Sequence, residues 1–121
     1  MTTKECIFCG MSQGSVDTDT LYRDEQIIVV RDINPKAPTH LLIIPRRHVA
    51  SLAYAAGRTA ATLGQMFVVA EEMARREGVT VSGYRLIVNQ GPDSGQEIEH
   101  LHMHLLGGEP LGPNPRSSGL V

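Results

Sequence analysis

The amino-acid sequence predicts an α+β fold: a mostly antiparallel sheet carrying one long helix. Two observations carry that expectation. Strand-like apolar runs lie on both sides of a single long helical pattern, without the regular strand–helix alternation of a doubly wound parallel sheet. Two of those runs are joined by a short proline-containing loop, the connection of an antiparallel pair. The length, 121 residues, fits one domain. A chain of this size buries about two-thirds of its unfolded surface and needs no disulfide to fold.

The elements follow in order. Residues 1–19 open on a C-x-x-C, Cys6 and Cys9, and run into a polar stretch over 12–20. Leu21-Tyr22-Arg23 is a short candidate strand and Asp24-Glu25 a turn. Ile27-Ile28-Val29-Val30 is β-branched and continuous, as in a strand covered on both faces. Asn34-Pro35-Lys36-Ala37-Pro38 ends it, because each proline lacks a backbone donor and restricts the residue before it. Residues 40–44 form the next strand, stopped by Pro45. Residues 52–77 are rich in helix formers. Within them Leu63, Met66, Phe67, Ala70, Met73 and Ala74 recur at helical spacing as one apolar stripe, expected to be core. Gly78 follows the basic last turn as a helix terminator. Residues 84–89 read as a strand, 91–95 as a loop, and 101–106 as a last strand ended by Gly107-Gly108. Residues 1–108 then make up the domain, and the Pro/Gly/Ser-rich 109–121 a loose tail.

Composition excludes some partners. Lys and Arg total 11 against 13 Asp and Glu, a net charge of −2 without the basic footprint of a nucleic-acid binder. No apolar run approaches the roughly 20 residues of a membrane span. The opening MTTKECIFCG lacks a signal-peptide pattern, so a cytoplasmic protein is expected. What stands out is the placement of the five histidines: His40, His48, and the group His100, His102 and His104. Alternate side chains of a strand share a face. The last three therefore lie together, about 6.5–7 Å apart, while Leu101, Met103 and Leu105 face the opposite side. Three readings stay open on spacing alone: histidines satisfied on a polar sheet face, metal ligands, or nucleophilic and acid–base catalysis. The loop 91–95 feeds this strand and can turn backbone N–H groups toward an anion such as phosphate. Cys6 and Cys9 supply half of a tetrahedral zinc shell, which would draw one histidine from around residues 40–48 and one from the triad. Reduced thiols without metal, or a redox pair, are the alternatives; a redox C-x-x-C usually opens a helix in a βαβ setting.

The run His100-Leu101-His102-Met103-His104-Leu105-Leu106 has the pattern His, apolar, His, apolar, His, two apolar. With it, in order, stand Asp32-Ile33-Asn34-Pro35, Ala37-Pro38-Thr39-His40, Ile44-Pro45-Arg46-Arg47-His48, Gly83-Tyr84-Arg85, Val88-Asn89-Gln90-Gly91 and Gly107-Gly108. In these segments the chain resembles the histidine triad (HIT) superfamily, and more closely its HINT branch of purine nucleoside phosphoramidases. The resemblance implies a HIT-like fold: a five-stranded antiparallel sheet with one long helix and short helical segments. It implies a homodimer joined through the helix and the strand over 83–89. It implies hydrolysis of nucleoside 5′-phosphoramidates or acyl-nucleotides, with adenine or guanine as the base, through a nucleotidyl-histidine on His102. His104 would contact phosphate oxygens and the leaving group, and His40 would hydrogen-bond within the histidine network. Asn89, Gly95 and Gln96 would hold the phosphate. Glu97 stands where eukaryotic members carry a serine, leaving its backbone N–H to serve the phosphate. Asp32 would take the ribose hydroxyls, and Ile7, Phe8 and Ile33 would line the base pocket. As in some bacterial relatives, Cys6, Cys9, His48 and His100 would hold one structural zinc per chain. Two other functions remain open: cleavage of dinucleoside polyphosphates, as in the fragile-histidine-triad branch, or a nucleotide-binding scaffold whose hydrolysis is incidental.

Overall fold

The computed structural model describes residues 6–14, 16, 18–55, 60–113 and 120–121. In chain order these form α1 (Ile7–Gln13), β1 (Thr20–Arg23), β2 (Ile27–Arg31), β3 (Thr39–Pro45), α2 (Leu52–Ala55), α3 (Ala60–Arg76), β4 (Tyr84–Ile87), one 3-10 turn (Pro92–Ser94) and β5 (Met103–Gly107). The five strands make one sheet in the order β1-β2-β3-β5-β4, and every neighbouring pair is antiparallel. The α+β expectation holds.

The continuous apolar run of β2 is explained by its two covered faces. Ile27 and Val29 pack with Leu41, Ile43, Met103 and Leu105 beneath α3. Ile28 and Val30 pack with Leu42, Ile44 and Phe8 beneath α1. All four β2 residues from Ile27 to Val30 are fully buried, each side chain contributing about 1.5–3 kcal/mol. β3 lies at the centre, and all seven of its residues are buried.

Several boundaries differ from the sequence reading. The helical region 52–77 divides into α2 and α3, with 56–59 outside the described residues. α3 turns Met66, Val69, Ala70, Met73 and Ala74 onto the sheet. Phe67, expected in that stripe, is 58 % exposed beside an exposed Val68; one step of about 100° from Met66 carries it off the core face. The strand expected over 84–89 pairs only from Tyr84 to Ile87. The strand expected over 101–106 begins its ladder at Met103 and runs to Gly107. Continuing the β3–β5 register would set Leu101 opposite Pro45, which has no N–H to give. The N–H of Leu101 turns instead to the Val49 carbonyl, at 2.6 Å. The tail is not loose at its far end: Leu120 is buried, and the Val121 carbonyl accepts the N–H groups of Glu97 and Ile98 at 3.1 and 3.2 Å.

Candidate active site and metal centre

The period-two alternation of the last strand continues one turn past its ladder, and it sorts the side chains of 100–105. Leu101, Met103 and Leu105 enter the core under α3. His100, His102 and His104 face the α1 side, all buried. On β3 the same face carries His40, Leu42 and Ile44. Leu42 stands opposite His104, so His40 lies diagonal to it, within reach for a side-chain contact. His40 Nε2 and His104 Nδ1 are 2.9 Å apart.

The hydrogen-bond partners set the tautomers. The Lys36 N–H donates to His40 Nδ1 at 3.0 Å, so the His40 proton is on Nε2. That N–H donates to His104 Nδ1, which leaves the His104 proton on Nε2. Asp32 Oδ2 stands 3.4 Å from His40 Nε2, while Asp32 Oδ1 accepts the Asn34 N–H at 2.8 Å. His102 Nδ1–H donates to the His100 carbonyl at 2.6 Å. His102 Nε2 therefore carries a bare lone pair. Among the described residues neither His102 Nε2 nor His104 Nε2 has a hydrogen-bond partner.

Burial keeps these rings neutral. It lowers His102 and His40, and pushes His104 down to about 3. At pH 7 the lone pair on His102 Nε2 is thus available rather than protonated.

Beside the rings lies a cavity of about 290 Å³, lined by Ile7, Phe8, Met11, Leu42 and Ile98 with Arg31, Asp32, Ile33, Asn34, Lys36, Glu97 and Val121 at its walls. Its size and mainly apolar lining suit a small aromatic ligand with a polar end. Five expected nucleotide-site residues line it together: Ile7, Phe8, Asp32, Ile33 and Glu97. The Phe8 and His102 rings meet in a T-shaped contact with centroids 4.8 Å apart, joining cavity to triad. The three expected phosphate residues are not among the lining residues. Asn89 is buried with its Nδ2 unpartnered among the described residues. Gly95 closes the 3-10 turn at a φ of +83°, which favours glycine. Gln96 braces the loop, accepting from the Gly91 N–H at 2.9 Å and donating to the Ile98 carbonyl at 3.0 Å. The reading of the sequence missed Met11, Arg31, Asn34, Lys36, Leu42, Ile98 and Val121. The β3 alternation already aligned Leu42 with His40, and Arg31, Asn34 and Lys36 flank Asp32 in the chain; nothing local marked Met11, Ile98 and Val121.

The two cysteines meet the other two histidines. Cys6 is the N-cap of α1 and Cys9 sits in its first turn, so the C-x-x-C does open a helix, which the sequence reading had not placed there. The Cys6 Sγ–His100 Nδ1, Cys9 Sγ–His48 Nδ1 and Cys9 Sγ–His100 Nδ1 distances are 3.3, 3.3 and 3.6 Å. Zinc bonds of about 2.3 Å to sulfur and 2.0–2.1 Å to nitrogen set the S···N edge of a tetrahedron near 3.5 Å. The four donor atoms all lie within 4.8 Å of one another. His100 Nε2–H donates to the Pro45 carbonyl at 2.7 Å, which turns the Nδ1 lone pair toward the thiols, as the outer hydrogen bond of a metal-binding imidazole does. Burial and the neighbouring Cys6 push the Cys9 thiol up to about 11, so a bound cation would have to displace the Cys9 proton. The donor set and its spacing fit zinc.

Residues 13–111 match the HIT domain family, and the chain belongs to it. Among its relatives is the purine nucleoside phosphoramidase of Escherichia coli K12, 42 % identical over 117 residues, which are 97 % of this chain and 98 % of that protein. The 14 kDa zinc-binding protein of Zea mays is 40 % identical over 111 residues, 90 % of this chain and 86 % of that one. A solved HIT family hydrolase from Clostridium thermocellum superposes with a TM-score of 0.90 at 40 % identity, covering 93 % of this chain and 98 % of its own. No helix among the described residues is long and apolar enough to cross a membrane.

Proposed function

We propose that the protein is a hydrolase of purine nucleoside 5′-phosphoramidates or acyl-nucleotides, with His102 as its nucleophile. The observation that carries this is the His102 tautomer: Nδ1–H is committed to the His100 carbonyl at 2.6 Å, leaving a neutral Nε2 lone pair without a partner among the described residues. Similarity to a purine nucleoside phosphoramidase across nearly the whole chain supports the substrate class.

The base enters the cavity walled by Ile7, Phe8 and Ile33, and Asp32 accepts hydrogen bonds from the ribose hydroxyls. Asn89, Gly95 and Gln96 hold the phosphate, and the Glu97 N–H joins them on release from the Val121 carbonyl, to which it donates at 3.1 Å. His102 Nε2 attacks the α-phosphorus. A P–N bond to His102 forms as the bond to the leaving group breaks; a carboxylate departs as the anion, and an amine departs after taking a proton from solvent, which the attacking water returns in the second step. Water then attacks the same phosphorus, the P–N bond breaks, and the nucleoside monophosphate leaves. His104 Nε2–H donates to the phosphoryl oxygen on which charge develops. His40, fixed between the Lys36 N–H and His104 Nδ1, holds His104 in the tautomer that can donate.

Cys6, Cys9, His48 and His100 bind one structural zinc, a role supported by their spacing. The protein acts as a homodimer. The exposed Phe67 and Val68 of α3 and the outer edge of β4, which pairs only with β5 among the described strands, offer the second copy a surface.

The test is turnover of adenosine and guanosine 5′-phosphoramidates by wild type and by His102→Ala, with a dinucleoside polyphosphate as comparison substrate. The expected result is hydrolysis of the phosphoramidates, loss of at least about a thousandfold in the variant, and little polyphosphate cleavage. Tight binding with negligible turnover on all three would make the protein a nucleotide-binding module.

A further inference from the structure

α1 and its N-cap carry residues of two sites within the six positions 6–11. Cys6 and Cys9, at its start, point to His48 and His100. Ile7, Phe8 and Met11, between and beyond them, form a wall of the cavity beside His102. A helix this short does not stand alone in water. It has no side-chain N-cap hydrogen bond and no acidic residue in its first turn. Its place depends on what holds it to the sheet. At its far end Ser12 is held by Arg23 and Arg46, at 2.9 and 3.2 Å. At its near end the cysteine–histidine cluster supplies a polar attachment.

The same cluster touches the nucleophile by a second route. His100 sends its side chain to the cysteines and its carbonyl to His102 Nδ1. Phe8 makes T-shaped contacts with both rings, its centroid 5.8 Å from that of His100 and 4.8 Å from that of His102. A cation held by Cys6, Cys9, His48 and His100 would fix, at one stroke, the cavity wall and the carbonyl that sets the His102 tautomer.

We infer that the Cys6–Cys9–His48–His100 cluster is a positioning device for the nucleotide site: occupancy by zinc docks α1 and tightens nucleotide binding, with α1 docked or undocked as the two states both ligands bias. This rests on the nucleotide and zinc readings above. It adds that the two sites are thermodynamically coupled, and coupling of this kind is reciprocal. If zinc raises nucleotide affinity by some factor, a nucleotide must raise zinc affinity by the same factor.

The experiment measures zinc affinity of the full chain by competition with a chromophoric chelator, with and without saturating AMP. AMP dissociation constants are measured by calorimetry on the zinc-loaded and zinc-depleted protein. The expected result is that AMP tightens zinc about tenfold and zinc tightens AMP by the same factor, within the usual range of coupling. Hydrogen exchange of the amides of residues 7–13 reads docking of α1 directly, and it should slow on zinc loading and slow again with AMP. Exchange in α1 unchanged by zinc, or slowed only in step with the whole sheet, would mean that zinc acts through global stability, and would overturn the inference. So would independent binding in wild type, which leaves the nucleotide reading intact. Failure of zinc to bind overturns the inference through the zinc reading, and failure of AMP to bind overturns it through the nucleotide reading.

Discussion

Acid should destabilise this protein through His104 in a way that one substitution removes. Burial lowers His104 from 6.5 to about 3, with the neighbouring His102 and His40 adding to the effect. The folded chain therefore binds fewer protons than the unfolded chain below pH 6.5. Its contribution is fully present above about pH 6.5 and is lost as pH falls, at about 1.36 kcal/mol per pH unit, until the folded group itself protonates near pH 3. From pH 7 to pH 5 the loss is about 2 kcal/mol. In His104→Asn the amide oxygen can still accept from His40 Nε2–H, so the network keeps its geometry while the titrating group is gone. Urea unfolding at fixed protein concentration measures both chains at pH 7 and pH 5. Other buried histidines titrate in both and largely cancel. With a urea slope of about 2 kcal/mol/M, the wild-type midpoint should fall about 1 M further than that of the variant. Equal falls would refute the claim that His104 is held neutral by its surroundings.

Three further outcomes follow from other parts of the molecule. Gly108→Ala should destabilise by about 2–4 kcal/mol in thermal or urea unfolding, because its φ is +92° and the added Cβ would lie 2.9 Å from Pro38 Cβ. Phe67→Glu should halve the mass seen by light scattering while leaving far-ultraviolet circular dichroism unchanged, since Phe67 is 58 % exposed on the face assigned to the second copy. Metal analysis of protein purified without added metal should give about one zinc per chain, and a Cys6→Ser/Cys9→Ser double variant should give none; zinc retained there would point to a different ligand set.

Much of the fold and of the site's arrangement was legible because the pattern is set by strand periodicity. Once residues 101–106 read as a strand, His100, His102 and His104 had to share a face, and the structure keeps them there even where ladder pairing has stopped. The burial of β2 on both faces from Ile27 to Val30 could be read from its β-branched run. Details that depend on tertiary partners were not legible. The stripe on α3 placed Phe67 inside because helical spacing alone does not fix where the stripe ends. α1 was missed because its seven residues include Cys, Gly, Ser and Phe, weak helix formers held by burial of Phe8 and Cys9 rather than by propensity. The packed end of the tail was missed for a similar reason: the Val121 carbonyl finds its donors at Glu97 and Ile98, far away in sequence. A still larger separation, 94 residues, lies between Cys6 and His100, a pairing that family resemblance supplied and composition alone did not.

The most direct test of the central claim is to trap the covalent intermediate. Rapid acid-free quenching of the enzyme with a labelled adenosine 5′-phosphoramidate, followed by peptide mapping, should place the nucleotidyl group on the peptide of 100–105, at His102. Label on His104 or His40, or single-turnover kinetics in which product forms with no protein-bound label at any time, would contradict it.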